Sequence, residues 1–207
     1  MYLEWYNLNK IDVEDSIGID EVGRGPLAGP VLSAAVWISR QLVNTIEENS
    51  SLFQIKDSKK LSHQQRCTIL EWIGRQSTDL ICYSVGSASV EEIDEMNILQ
   101  ATLLSMKRAY DSIQIKRNTV LIDGNVSPNF PPYIKARTII KGDDKVLSIS
   151  LASIIAKEHR DEIMRNLAKG FPEYKWETNV GYGTKFHFAA IRNFGLTEHH
   201  RKSFVHL

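Results

Sequence analysis

The sequence has little that would crosslink, anchor or polarise a chain. Of its 207 residues only two are cysteines, Cys67 and Cys82. They show no metal-ligand spacing and are too few for a disulfide framework, so they read as two reduced cytosolic thiols. No apolar run approaches the ~18 residues that a membrane span needs. Residues 1–10 carry acid and aromatics rather than a basic region followed by an apolar one, so no secretory leader is expected. Lys plus Arg number 25 and Asp plus Glu number 25. With no net field to draw in a polyanion, any affinity for nucleic acid must come from local basic patches. There is no internal repeat, no low-complexity tract and no Pro/Gly/Ser linker long enough to divide the chain into separate domains. These absences lead us to expect a cytoplasmic, soluble protein, a monomer by default, with one domain over residues 1–207.

What is present is an ordinary apolar content of 43%, enough for a real core, and one unusual segment. Gly18-Ile19-Asp20-Glu21-Val22-Gly23-Arg24-Gly25-Pro26-Leu27-Ala28-Gly29-Pro30 sets two acids directly ahead of a Gly-Arg-Gly run. Glycines let backbone N–H groups approach a ligand closely. Carboxylates call for a metal cation, and amides with an arginine call for a polyanion. The combination points to a metal-dependent enzyme acting on a phosphodiester.

Residues 16–22 and 31–38 read as strands joined closely enough for a hairpin. Ser62 with Gln65 and Ser89 with Glu92 fit capping boxes. They open helices expected to reach about Ser77 and Ile113, the second with Ile93, Asn97, Ala101 and Leu104 on one face. Residues 80–87 and 119–124 read as further strands, and Ile139-Ile140-Lys141-Gly142-Asp143 repeats the pattern of an apolar run ending in an acid. Val146–Lys169 has helical periodicity up to Gly170, and Thr184 can cap a last helix to about Asn193. Strands joined in some places by a hairpin and in others by helices predict an α/β domain with a mixed sheet.

Asp20 with Glu21, Asp123, and Asp143 thus end three strand-like runs. Ligands collect at strand ends in open α/β sheets. At ~4 Å and an effective dielectric near 20, each like-charge pair costs about 4 kcal/mol. Such a cluster persists only if protonated or bound to a hard divalent cation, and Mg²⁺ or Mn²⁺ suits oxygen-only ligands. Two points stay open on the residues alone. Neighbours in a regular strand face opposite ways, so Glu21 must sit where the strand ends or bends. Either Asp143 or Asp144 could be a plain helix cap.

Other motifs say less. Gly23-x-Gly25-x-x-x-Gly29 has one residue too many for a dinucleotide fingerprint and lacks the Lys-Ser/Thr of a P-loop. No His-Glu-x-x-His and no Gly-x-Ser-x-Gly is present. Glu198-His199-His200, beside Arg201 and Lys202, reads as a basic, anion-facing patch in preference to a zinc site. Asp57-Ser58-Lys59-Lys60-Leu61-Ser62 reads either as a charged loop or as a phosphate contact through Lys59. Gly181-Tyr182-Gly183-Thr184 reads either as a plain turn or as a platform on which Tyr182 stacks against a sugar or base.

The whole set resembles the bacterial type 2 ribonucleases H, the ribonuclease HII family. The resemblance is carried by residues 18–30, Asp57-Ser58-Lys59-Lys60-Leu61-Ser62, Glu92-Ile93-Asp94, Asn97-Ile98-Leu99 and Leu121-Ile122-Asp123-Gly124-Asn125. Lys141-Gly142-Asp143, residues 152–157 with Arg160-Asp161, Gly181-Tyr182 with Thr184, and His200-Arg201 with Ser203-Phe204 complete it. It implies a ribonuclease H-like, five-stranded mixed sheet flanked by helices, with a C-terminal helical segment. It also implies endonucleolytic cleavage of RNA–DNA hybrids and of ribonucleotide-containing duplex DNA. Asp20, Glu21, Asp123 and Asp143 take the places of the family's four carboxylates, with the first three as principal metal ligands, and Asp143 is preferred over Asp144. Gly23, Arg24 and Gly25 correspond to the loop that contacts ribose 2′-hydroxyls and the scissile phosphate, Lys59 to a phosphate contact, and Tyr182 to the tyrosine at the RNA–DNA junction. Glu158 and Val180 depart from the family pattern, the first adding an acid and the second removing a candidate phosphate contact. A junction resolvase of the same fold and a non-catalytic hybrid-binding protein are the competing expectations.

Overall fold

The computed structural model describes residues 16–48 and 61–205. Five strands form one mixed sheet in the order β3-β2-β1-β4-β5. They are β1 (Ser16–Val22), β2 (Val31–Ile38), β3 (Ile81–Ala88), β4 (Thr119–Asp123) and β5 (Lys135–Ile139). β1 pairs antiparallel with β2, and β2 antiparallel with β3. β4 runs parallel to β1, and β5 parallel to β4. All eight residues of β2, Val-Leu-Ser-Ala-Ala-Val-Trp-Ile, are buried. An apolar run of this kind, without alternation, suits a strand covered on both faces. β5 is an edge strand and carries Lys135 and Arg137, which discourage pairing with another chain.

Helices cover both faces. Helix α3 (Val90–Ser112) packs Met106, Ala109 and Tyr110 on Ile17, Ile19, Ala35 and Trp37. Helix α4 (Leu147–Gly170) packs Leu151, Ala152, Ile154 and Ile155 on the opposite face, against Ala34, Val36 and Ile38. Helices α1 (Arg40–Glu48) and α2 (His63–Gly74) complete that second layer through Leu42, Val43, Ile46, Ile69 and Ile73. α4 can lie close to the sheet because residue 18 is glycine. A Cβ there would stand 2.4 Å from Ser148 Oγ and 2.6 Å from the Ile149 nitrogen. The short α5 (Trp176–Asn179), α6 (Lys185–Phe194) and two 3₁₀ turns form a C-terminal layer around buried Trp176 and Tyr174.

Several expectations need correction. α1 was not anticipated, and α2 ends at Gly74, short of Ser77. The helix after Ser89 is broken at Asn97, which has φ 72° and is exposed, so it does not share a face with buried Ile93 and Ala101. The Asn97 Oδ1 accepts the N–H groups of Leu99 (3.0 Å) and Gln100 (3.2 Å). It thereby caps a second helical segment from inside the element, a competition with helix hydrogen bonding that asparagine is built for. Asp143 does not end a strand: β5 stops at Ile139, and Asp143 lies in a 3₁₀ turn, Gly142–Asp144. Neither Asp143 nor Asp144 caps α4, whose N-cap is Val146.

Candidate active site

The carboxylates meet because of register. The last paired residues of β1 and β4 are Ile19 and Ile122. The next residue on each strand is an aspartate, so Asp20 and Asp123 emerge side by side on the face that α4 covers. Glu21 has the opposite parity, but it stands near the end of β1, ahead of Gly23, whose φ of 92° turns the chain away. The long Glu21 side chain joins the other two at this strand end. One oxygen from each of Asp20, Glu21 and Asp123 lies within 4.8 Å of the others. Asp143 is outside that group but adjoins it. The preceding Gly142 N–H donates to Asp123 Oδ1 at 2.6 Å, and Asp143 Oδ1 accepts the Asp144 N–H at 3.1 Å.

The cluster is electrostatically incomplete. Burial, and then the charges of Glu21 and Asp123, push the Asp20 carboxyl well above the usual carboxylate range. A hydrogen bond from Ser153 on α4 and the Glu21 N–H, 2.7 Å from Asp20 Oδ1, only partly oppose this. Burial also raises Glu21, with Arg24 pulling the other way. That help is small: Arg24 Nη1 is 3.4 Å from Glu21 Oε1, and the Arg24 side chain is 52% exposed. An exposed pair of this kind contributes ~1 kcal/mol at most. Three clustered oxygen donors with no closely matching cation among the described residues fit a hard divalent ion.

Beside the acids, the loop from Gly23 to Pro30 is held by two fully buried arginines. Arg201 donates to the carbonyls of Gly23 (2.6 Å), Gly29 (2.9 Å) and Arg24 (3.1 Å). Arg160 donates to those of Ala28 and Pro30, both at 3.0 Å, and of Val180 at 2.9 Å. Burial lowers Arg160 to about 10, and burial followed by the charge of Arg160 lowers Arg201 to about 9. Both therefore stay protonated at neutral pH. Residue 23 must be glycine twice over: its φ is positive, and a Cβ would lie 2.3 Å from Arg160 Nε.

Tyr182 borders the same loop. It is 44% exposed, and its ring lies 3.7 Å from where a Cβ on Gly25 would stand. The Leu27 N–H donates to Gly181 O at 2.8 Å, tying the tyrosine turn to the glycine loop. Behind it, His187 Nδ1 lies 3.0 Å from Tyr182 O, while His187 Nε2 accepts from Trp176 Nε1 (3.1 Å) and faces His200 Nε2 (3.1 Å). Burial, followed by the charges of His187 and His199, lowers His200 to about 4. The expected basic patch at 198–202 is corrected here, because His200 and Arg201 point inward, His200 onto His187 and Thr197 and Arg201 onto the loop. Lys59 lies outside the described residues.

Comparison with known proteins settles the family. The sequence model of the family described as Ribonuclease HII matches residues 17–207. The chain is 49% identical over 188 residues to the ribonuclease HII of Wolbachia pipientis wMel, covering 91% of this chain and 88% of that protein. It is 47% identical over 187 residues to the ribonuclease HII of Pelagibacter ubique (strain HTCC1062), covering 90% and 94%. The chain belongs to the ribonuclease HII family. The crystal structure of the ribonuclease H2 from Pyrococcus horikoshii OT3 matches the fold with a TM-score of 0.68 at 26% identity, over 91% of this chain and 92% of that one. The expected five-stranded ribonuclease H-like fold is thus found, and with it the activity class, a ribonuclease H endonuclease. Ribonuclease HII enzymes depend on divalent metal. Among the described residues no helix is long and apolar enough to cross a membrane.

Within this member of the ribonuclease HII family, three contributors were not singled out from sequence. Ser153 reaches Asp20 from α4, and Arg160 and Arg201 hold the glycine loop from within. The two arginines fall in segments that carry the family resemblance, but nothing in their spacing says that they are buried.

Proposed function

We propose that Asp20, Glu21 and Asp123, with Asp143 as an outer fourth carboxylate, hold Mn²⁺ or Mg²⁺ and cut the RNA strand of RNA–DNA hybrids and single ribonucleotides embedded in duplex DNA. The products are a 3′-hydroxyl and a 5′-phosphate. The observation that carries this reading is the approach of three carboxylates to within 4.8 Å, directly beside a loop whose Gly23, Arg24, Ala28, Gly29 and Pro30 carbonyls accept from arginine. Ions held by these carboxylates would supply an activated water for in-line attack and charge stabilisation for the departing 3′-oxygen. The protein's own contribution is positioning. The guanidiniums of Arg160 and Arg201 take the carbonyl oxygens of the loop, so Gly23, Arg24 and Gly25 meet the substrate with N–H groups and one exposed cation. N–H donors suit a phosphate and the ribose 2′-hydroxyl, the group that distinguishes RNA from DNA. Tyr182, exposed across from Gly25, stacks on the nucleotide next to the cut. Lys59 adds a phosphate contact. The enzyme acts as a single-domain monomer in the cytoplasm, in DNA replication and repair.

The test is a labelled duplex carrying one ribonucleotide, incubated with and without Mn²⁺. Cleavage 5′ of the ribonucleotide, only with metal, is the expected outcome. Binding without cleavage, or cleavage of branched DNA while the ribonucleotide is ignored, overturns the reading. Asp123→Asn should leave the fold intact and reduce cleavage by ~10³-fold or more, since it removes a metal ligand worth several kcal/mol of transition-state stabilisation. Normal turnover by that variant is incompatible with the assignment.

A further inference from the structure

A second group of metal-ligating side chains lies where α2 meets α4. His63 and Cys67 stand one helical turn apart at the start of α2, and Glu158 faces them from α4. His63 Nδ1 is 2.9 Å from Glu158 Oε2 and 3.5 Å from Cys67 Sγ, and Cys67 Sγ is 3.8 Å from Glu158 Oε2. Zinc bonds of ~2.0–2.3 Å at tetrahedral angles place donor atoms roughly 3.3–3.6 Å apart. The three atoms therefore need to move by only a few tenths of an ångström to become one face of a zinc tetrahedron.

Two further observations favour a ligand set over a chance contact. Glu158 is buried, and its other oxygen, Oε1, is held by Arg66 Nε, which leaves Oε2 facing His63 and Cys67, with Arg165 Nη2 3.9 Å away. Such outer hydrogen bonds are how proteins aim metal-binding carboxylates. His63 is exposed, so the fourth side of the tetrahedron is open to water, and an ion can enter.

We propose that His63 Nδ1, Cys67 Sγ and Glu158 Oε2 bind a zinc ion, with water as the fourth ligand. On binding, Zn²⁺ displaces the Cys67 thiol proton, and any proton on His63, to solvent. Thiolate and imidazole select zinc over Mg²⁺ or Mn²⁺, whereas the oxygen-only cluster at Asp20, Glu21 and Asp123 suits the hard ions Mg²⁺ and Mn²⁺. The two sites thus sort their metals by donor chemistry. Glu158 is five residues beyond Ser153, about 7.5 Å along the same helix. Zinc here pins α2 to the helix that braces Asp20, and fixes the chain four residues after Lys59.

Cobalt(II) is the probe. Metal-free protein titrated with Co²⁺ should develop tetrahedral visible bands and a near-ultraviolet thiolate-to-cobalt band that account for one equivalent per chain, whatever further Co²⁺ the carboxylate cluster takes, and both should be abolished by Zn²⁺. Cys67→Ser should lose the near-ultraviolet band, Cys82→Ala and Asp123→Asn should keep it, and Glu158→Gln should weaken binding by ~10-fold or more. Zinc should also raise the melting temperature of the native chain but not of Cys67→Ser. Absence of the thiolate band, or its persistence in Cys67→Ser, overturns the proposal and leaves a hydrogen-bonded ion pair between His63 and Glu158. Because the readout is spectroscopic and survives Asp123→Asn, it is independent of the cleavage reaction.

Discussion

Two neighbouring regions of the candidate site solve the problem of buried charge in opposite ways. The carboxylates of Asp20, Glu21 and Asp123 are brought together, among the described residues, with only a weakly engaged Arg24 to balance them. The guanidiniums of Arg160 and Arg201 are also buried, but their N–H groups are matched by backbone carbonyls. The acidic side is complete only with an ion from solution. The basic side is complete as folded. Metal-free protein should therefore be strained at the acids and sound at the loop.

The largest effect that tests this contrast is at Arg201. Arg201→Met leaves three carbonyls without a donor and should cost about 3–5 kcal/mol of stability, read by denaturant unfolding. An unchanged midpoint would mean that the loop does not depend on its clamp. Arg201→Lys should rescue little, since an ammonium cannot serve three carbonyls in a fork. Next comes the metal. Mn²⁺ at 100 times its Kd should stabilise the protein by about 2.7 kcal/mol, and Asp123→Asn should remove most of this gain. The pH dependence has a definite sign. Asp20 and Glu21 hold protons more tightly folded than unfolded, so their contribution to metal-free stability falls as pH rises above the ordinary carboxylate range and through their raised values. The stability gained on saturation with Mn²⁺ should therefore grow with pH over that range, and a gain that shrinks with pH would reverse the comparison.

Smaller still is the neutral isostere. Asp20→Asn should stabilise the metal-free protein by about 1.4 kcal/mol for each unit by which folding raises the Asp20 pKa, while abolishing cleavage. Thermal melts in chelator, beside activity assays, check both halves. Last, Tyr182→Ala should weaken hybrid binding about tenfold, or ~1.4 kcal/mol, and leave Mn²⁺ affinity unchanged. Loss of both together would show that the tyrosine turn and the acids are not separable.

How much of this could be read from the chain varies with the range of the interaction. The meeting of Asp20 and Asp123 was legible, because two apolar runs each ended in an acid and parallel strands align such ends. Both capping boxes were legible for the same local reason. The break at Asn97 was not, because period and propensity favoured a continuous helix, and only the side chain's own hydrogen bonds divide it. Asp143 was misplaced by the same logic that found Asp123: an apolar run ending in an acid also describes a strand followed by a 3₁₀ turn. The burial of Arg160, Arg201 and His200 was beyond local reading. A polar residue in a helix or turn ordinarily faces water, and the loop carbonyls that receive the two arginines are distant in sequence. The zinc ligands were hidden likewise, since Cys67 and Glu158 are separated by 91 positions.

The clamps on the glycine loop reach across the chain: Arg160 Nη2 binds a carbonyl 132 positions earlier, and Arg201 Nε one 172 positions earlier. On the ribosome, Asp20 and Glu21 emerge long before the arginines that set the neighbouring loop. The loop therefore leaves the exit tunnel before either clamp can reach it, and its final geometry waits on the emergence of Arg160 and then Arg201.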